Sequence, residues 1–105
     1  MAVPIASGSL TAATTVGPGA TVDFATCVAH VSMVLVSNGK IDSGVVAVEA
    51  SHDGTNWLKM EIHTPQTGFN QGYHGSVSAF RYWRSNILVE IAGGGSVTAT
   101  FMEAG

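Results

Sequence analysis

Apolar and polar residues alternate over much of this chain, which is the pattern of β-strands that bury one side in a core. The pattern is clearest in the segments 45–51 and 57–63. Their apolar positions are Val46, Val48 and Ala50, followed by Leu58, Met60 and Ile62. Between the two segments, Asp53 and Gly54 tolerate the positive φ of a tight reversal. The sequence therefore predicts a β-hairpin that turns at Asp53-Gly54.

Turn-forming Gly, Pro, Asn and Asp residues recur so often that little room is left for a helix of about 10 to 12 residues. Further strands are predicted at 8–14, 20–26, 29–37, 76–80, 81–91 and 96–103. The expected core positions of two of them are Val22 and Phe24, and Val97, Ala99 and Phe101. We expect an all-β chain, folded as one antiparallel β-sandwich (jelly-roll or Ig-like) of about seven to eight strands.

The segment 29–37 is apolar on both faces, with Val34 and Val36 opposite the other apolar positions, which are Val31, Met33 and Leu35. A sandwich strand normally shows one face to water. This strand is therefore expected to be central and shielded, or to pack against a neighbouring chain.

Two segments fall outside this strand pattern. Residues 1–19 are small and uncharged, and are interpreted as an N-terminal arm with a first strand, ahead of a sandwich spanning 20–105 in a single domain. Residues 64–75 are polar and Gly-rich with two aromatic side chains, so they are predicted to form the longest loop and a contact surface.

Charged residues make up only 10% of the chain, against about 25% in a typical soluble domain. The surface of the folded chain must therefore be poor in charge. Either it consists of uncharged polar side chains, or partner subunits cover much of it, since interface cores are depleted of charge. The net charge is −3 and the four basic residues form no run, which argues against nucleic-acid binding. No apolar run is long enough to cross a membrane as a helix. The first residues lack a secretory signal, so the protein is expected to stay in a cytosol.

Candidate chemistry is sparse. The spacings of His30, His52, His63 and His74 match no metal-ligand motif, and the four are expected to be scattered. Cys27 is interpreted as a small buried hydrophobe. The Asp53 turn has too few carboxylates for a calcium loop, and no nucleophile elbow is present. We expect no catalytic residue, no cofactor and no metal.

Glu49 and Glu61 could face each other on the polar side of the hairpin, where the simpler interpretation is a solvated pair beside Lys59. In the segment 81–91, alternation places Trp83 on one face with Ile87, Val89 and Ile91, so Trp83 is predicted to anchor the core. The opposite face carries Tyr82, Arg84 and Glu90.

Aromatic and arginine side chains dominate protein interfaces. On that ground, the candidate interface residues are Trp57, Phe69, Tyr73, Tyr82 and Arg84. Aromatic rings can also stack on sugars, so a carbohydrate-binding or host-adhesion module using Trp57, Phe69 and Tyr73 is the alternative from another functional class.

Three motifs carry a resemblance: the hairpin Val46-Ala-Val-Glu-Ala-Ser-His-Asp-Gly-Thr-Asn-Trp57, the strand Ala79-Phe-Arg-Tyr-Trp-Arg84, and Gly93-Gly-Gly-Ser-Val-Thr-Ala-Thr100. Over roughly residues 29 to 103 the chain resembles small β-sandwich virion proteins of tailed bacteriophages. Their pattern is a Ser-x-Asp-Gly-Thr-x-Trp hairpin, an aromatic-Arg-Tyr-x-Arg strand and a Gly-Gly-Ser/Thr-Val-Thr-Ala final strand. Trp83, where a smaller aliphatic residue is more usual, and the segment 64–75 depart from it.

The resemblance implies a symmetric, non-enzymatic structural component of the virion, assembled in the host cytoplasm. Its implied partners are other copies of the chain and the major capsid protein, as in a capsid decoration or cement protein. A tail or tail-tip component is the alternative, and surface glycans are a further possible partner. Asp53, Gly54 and Trp57 would form the hairpin and its packing residue, braced by Arg81, Tyr82 and Arg84.

Overall fold

A computed structural model describes residues 5–24, 30–75 and 80–104. It contains nine strands: β1 (Ile5–Ala13), β2 (Gly17–Pro18), β3 (Val22–Asp23), β4 (His30–Asn38), β5 (Ser43–Ser51), β6 (Leu58–His63), β7 (Gln71–Gly75), β8 (Tyr82–Ala92) and β9 (Ser96–Ala104). The described residues include no helix. The all-β prediction is therefore confirmed.

The strands form two antiparallel sheets that pack as a sandwich. Sheet I has the order β1-β9-β4-β7, and sheet II has the order β2-β8-β5-β6, with β3 also paired to β8. Strands β5 and β6 are joined by the Asp53-Gly54 turn within sheet II, which confirms the predicted hairpin. The other consecutive strands, apart from β2 and β3, lie in opposite sheets. Most of the pairing is therefore between strands distant in sequence.

The core lies between the sheets and follows the predicted alternation closely. Trp83 is 1% exposed, and its ring contacts those of Phe101 at 6.2 Å and Phe80 at 6.1 Å between centroids. Its indole Nε1 donates a hydrogen bond to the Phe80 carbonyl at 3.2 Å. Predicted core residues that are fully buried around it include Met33, Leu35, Val46, Val48, Val97 and Ala99. Trp83 is thus the anchor of the core, as predicted.

Two β-bulges overturn details of the face assignments. In β6, Lys59 pairs with Glu49 but Glu61 pairs with Val48, so Met60 is the extra residue. An extra residue shifts the alternation by one. Leu58 and Ile62, predicted to share a face with Met60, therefore lie on opposite faces and are 56% and 57% exposed.

The second bulge lies in β8. Ile87 pairs with Val46 and Val89 pairs with Val45, so Leu88 is the extra residue. Val89 lies beyond this bulge and is 48% exposed. A further register shift between Val89 and Ala92 returns Ile91 to the core, so Trp83, Ile87 and Ile91 are buried as predicted.

The predicted strands differ from the observed ones in three regions. Among its described residues, the predicted strand 20–26 contains only the two-residue β3, and β2 at Gly17–Pro18 was not predicted. The segment 64–75, predicted as a loop, contains β7 at Gln71–Gly75, which pairs with β4 along Val31–Leu35. Its glycines and polar residues do not alternate with apolar ones, although the segment forms a strand at the edge of sheet I. The predicted strand 76–80 falls mostly on residues outside those described, and Phe80 itself is not in a strand.

The N-terminal segment belongs to the sandwich. Residues 5–13, assigned to an arm and first strand, pair with β9 across sheet I. The chain then crosses to sheet II, where the Ser9 hydroxyl donates to the Ala20 carbonyl at 2.8 Å and accepts from the Ser85 amide at 2.9 Å. Ser9 is 6% exposed, so this hydroxyl is a buried link between the two layers.

Candidate functional site

The Asp53 turn is held by a dense set of hydrogen bonds. Asp53 Oδ1 accepts from the amides of Thr55 and Asn56, both at 2.8 Å, and Oδ2 accepts from the Asn56 side chain at 2.8 Å. The buried Ser51 hydroxyl accepts from the Gly54 amide at 2.9 Å and donates to Asp53 Oδ1. The bonds from Asn56 and Thr55 hold the pKa of the Asp53 carboxyl far below its ordinary value. These contacts give Asp53 a structural role in the turn.

Glu49 is the most informative charged residue of sheet II. It is 3% exposed, and its Oε1 accepts from Arg84 Nε at 2.7 Å while Oε2 accepts from Asn86 Nδ2 at 3.2 Å. The Arg84 guanidinium lies 4.0 Å from the Trp57 ring centroid, in a cation–π contact. Arg84 is thus sandwiched between a carboxylate and an indole.

This arrangement corrects the predicted solvated pair of Glu49 and Glu61. Glu49 lies on the outer face of sheet II, opposite Lys59. The bulge at Met60 places Glu61 on the other face, where its carboxylate is 3.8 Å from His63 Nε2. The two carboxylates therefore do not converge.

A second arginine repeats the pattern at the surface. Arg81 makes a bidentate pair with Asp23, at 2.6 and 2.9 Å, and its guanidinium lies 5.0 Å from the centroid of the Tyr82 ring. The hydrogen bond to Asp23 raises the pKa of Arg81. The Tyr82 ring also lies beside the Asp53 turn, because a Cβ placed on Gly54 would be 3.7 Å from this ring. Tyr82 therefore has both Arg81 and the turn as neighbours.

The five candidate interface residues do not form one surface. Trp57, Tyr82 and Arg84 are half-buried in the contacts just described. Tyr73 lies in sheet I and packs towards the core, with its ring 5.8 Å from that of Trp83. Trp57 and Tyr73 thus belong to different layers, so the structure does not assemble the predicted sugar-stacking trio.

Phe69 is the exception among these aromatics, since it is 62% exposed. It ends a tight turn in which its amide donates to the Gln66 carbonyl at 3.2 Å. The neighbouring Thr67 hydroxyl accepts from the Ile41 amide at 2.8 Å and donates to the Ile41 carbonyl at 3.2 Å. This turn, residues 66–69, therefore presents an aromatic ring to solvent from a tethered backbone.

The histidines are less scattered than predicted. His30 and His74 stack with ring centroids 6.2 Å apart, because β7 brings residue 74 beside β4. His52 contacts the Phe80 ring at 4.7 Å, and His63 is buried. Across the described ranges, no three His, Cys, Asp or Glu residues are grouped as a metal site would require. Cys27 lies outside those ranges.

Charge is distributed very unevenly between the two sheets. Glu103 is the sole charged residue in the strands of sheet I. The strands of sheet II contain six: Asp23, Glu49, Lys59, Glu61, Arg84 and Glu90. Sheet I is therefore almost free of charge, whereas sheet II carries most of the charged side chains.

The outward side of sheet I, here called the sheet I outer face, consists of small or uncharged residues. Its described members include Gly8, His30, Ser32, Val34, Val36, Asn38, Gly72, His74, Ser96, Thr98, Thr100 and Met102. Val34 is 50% exposed and Met102 is 44% exposed. The doubly apolar pattern of 29–37 had indicated such a face. Strand β4 is indeed central, but no element of the described chain covers its outer side.

Comparison with known proteins yields a fold relationship. No protein-family model matches the chain, and no curated protein matches it in sequence. Among solved structures, the SPBc2 prophage-derived protein YomS superposes with a TM-score of 0.67 at 10% sequence identity, over 98% of this chain and 96% of YomS. Within the described residues there is no helix long and apolar enough to cross a membrane. At that identity the likeness concerns the fold alone: this chain has the β-sandwich architecture of a prophage-derived protein.

Proposed function

We propose that this protein is a non-enzymatic structural subunit of a bacteriophage particle, and specifically a decoration or cement protein of the head. The observation that carries the proposal is the uncharged sheet I outer face with its exposed Val34 and Met102. Protein interfaces are depleted of charge at their centres. A whole sheet face without charge is therefore a surface suited to another protein.

The fold relationship supports a phage setting, because the similar structure is that of a prophage-derived protein and the likeness spans nearly the full length of both chains. The sequence motifs point the same way, since the Asp53 hairpin and the strand from Arg81 to Arg84 resemble those of phage virion proteins. In this chain the residues of both motifs make stabilising contacts within sheet II.

The distribution of polar groups supports a role without catalysis. Glu49 is committed to Arg84 and Asn86, and Glu61 lies on the other face of the sheet. Asp53 is satisfied by its own turn. General acid–base chemistry needs groups that converge on a substrate.

Phe69 is the residue we propose for contact with the capsid. A solvent-exposed aromatic ring on a tethered turn supplies a large contact area with little ordering entropy to lose on binding. It lies in the segment 64–75, which the sequence marks as a contact region.

Electron microscopy of gradient-purified particles, labelled with antibody to this chain, tests the proposal. We expect label on the heads of wild-type particles. Label on the tails would replace the head assignment with the tail alternative, and absence of the chain from purified particles would overturn a structural role altogether. Added back to particles that lack the chain, wild-type protein should bind the heads and the Phe69→Ala variant should bind them several-fold more weakly.

A further inference from the structure

We propose that the sheet I outer face is the contact between two copies of this chain, which pair face to face as a two-fold dimer. The inference deepens the proposed function and rests on it for its biological setting.

The shape of the face favours close approach of another sheet. One row across the four strands runs Gly8, Thr100, Val34, Gly72, since Gly8 and Val34 both pair with Thr100 and Gly72 pairs with Val34. No residue in this row is larger than valine. The next row contains Met102, Ser32 and His74. A row of small side chains beside a row of larger ones gives a surface on which side chains of a second sheet can interdigitate, at the usual spacing of about 10 Å between two sheets.

The charge of the face favours a second copy as occupant. In a two-fold contact each residue meets the same surface patch, so any charged residue risks facing a like charge. The described outward side chains of sheet I include no Lys, Arg, Asp or Glu. The face can therefore meet itself without repulsion. Sheet II, by contrast, carries Glu49, Lys59 and Arg84 on its outer side.

The area is sufficient for a modest dimer. Three strands of nine residues and one of five make up sheet I. At about 4.8 Å between strands and about 3.3 Å per residue, the face covers roughly 500 Å² in projection, so a pair buries roughly 1,000 Å². That is about the lower limit for a specific interface, which predicts reversible pairing in the micromolar range.

Sedimentation velocity on the purified chain tests the pairing, at protein concentrations from about 1 to 100 µM, which bracket that range. The wild type should shift from monomer to dimer. Val34→Lys places a charge at the centre of the face and should raise the dissociation constant at least tenfold. The matched control is Ile62→Lys, which replaces a similarly exposed apolar residue on the outer side of sheet II and should leave the dissociation constant unchanged.

A wild type that stays monomeric throughout would overturn the proposal, as would a trimer, because face-to-face pairing closes at two copies. Equal weakening by the two lysine substitutions would overturn it as well. Circular dichroism checks that each variant is folded, and Thr100→Lys, on the cross-strand neighbour of Val34, serves if Val34→Lys does not fold. The assay contains no phage particle, so its result is independent of whether the chain is found on heads.

Discussion

Arg84 and Glu49 form the buried ion pair of sheet II, with 2.7 Å between Arg84 Nε and Glu49 Oε1 and with their side chains 19% and 4% exposed. A charged carboxylate this deeply buried is costly unless it is paired. The pair is completed by Asn86 on one side and by Trp57 stacked on the guanidinium. It therefore holds together β5, β8 and the end of the turn that follows β5, where Trp57 lies.

The first prediction concerns this pair. Arg84→Ala should lower the free energy of unfolding by about 3 kcal/mol, because it leaves Glu49 buried without its partner. Arg81→Ala is the matched control. It removes a similar contact to Asp23, but the side chains of that pair are 42% and 41% exposed, so the loss should be below about 1 kcal/mol. Urea unfolding measures both, and equal losses would contradict the assigned roles.

The second prediction concerns the neighbouring residues Ser9 and Ser85, whose hydroxyl groups differ in hydrogen bonding. Ser9→Ala removes two hydrogen bonds and leaves the buried Ser85 amide unpaired, so it should cost about 2 kcal/mol. The buried Ser85 hydroxyl has no hydrogen-bond partner among the described residues. Ser85→Ala should therefore leave stability unchanged or raise it slightly. Thermal unfolding should give a lower Tm for Ser9→Ala and an unchanged or slightly higher Tm for Ser85→Ala. A larger loss for Ser85→Ala would refute the role assigned to the Ser9 hydroxyl in linking the sheets.

The third prediction concerns the close approach at Gly19. A Cβ at this position would collide with the Ser9 carbonyl oxygen and lie 2.6 Å from Leu10 Cδ2. Gly19→Ala should therefore destabilise the chain by about 1 to 3 kcal/mol, through forced displacement of backbone. Gly8→Ala is the control, because the nearest atom to its Cβ is Thr11 Oγ1 at 4.0 Å. Chemical denaturation that ranks the two variants equally would contradict the packing described for the crossing from β1 to sheet II.

The fourth prediction concerns pH. Hydrogen bonds from Asn56 and Thr55 lower the pKa of Asp53 in the folded state. Its stabilising contribution is therefore complete above the unfolded pKa of about 3.9, and is lost as the pH falls through the lower, folded pKa. Asp53→Asn should lower the Tm at pH 7, and the difference from wild type should shrink as the pH falls below about 4.

Scanning calorimetry from neutral to acidic pH tests this behaviour. Asp42→Asn is a useful comparison, because the ion pair of the Asp42 carboxylate with Lys40 is long, at 3.7 Å, and joins exposed groups, so the substitution should change the Tm at pH 7 very little. A constant Tm difference between wild type and Asp53→Asn across the acidic range would show that the carboxylate charge does not contribute.

The fold was predictable from sequence wherever alternation was unbroken. Phe101, Met33 and Val48 are buried as their spacing predicts. The errors arise where one extra residue enters a strand: the bulges at Met60 and Leu88 moved Ile62 and Val89 to unexpected faces. Nothing in the local sequence marks these bulges, because they depend on how distant strands pair.

The site residues were harder to predict, for the same reason. The partners of Glu49 lie 35 and 37 residues away in β8, and only the register of β5 with β8 brings them together. His30 and His74 meet through β7, in a segment whose composition predicts a loop. The doubly apolar segment 29–37 indicated one strand of the uncharged sheet I outer face. The extent of that face could not be predicted, because it depends on which strands lie beside β4.

The proposed function and the proposed dimer both require that protein covers the sheet I outer face in the assembled particle. Hydroxyl-radical footprinting with mass spectrometry tests it directly, by comparing assembled particles with dilute purified protein. Met102, which is 44% exposed in the chain alone, should be strongly protected from oxidation in particles, whereas Ile62 on sheet II should be modified to a similar extent in both. Equal modification of Met102 in particles and in dilute protein would contradict the claim.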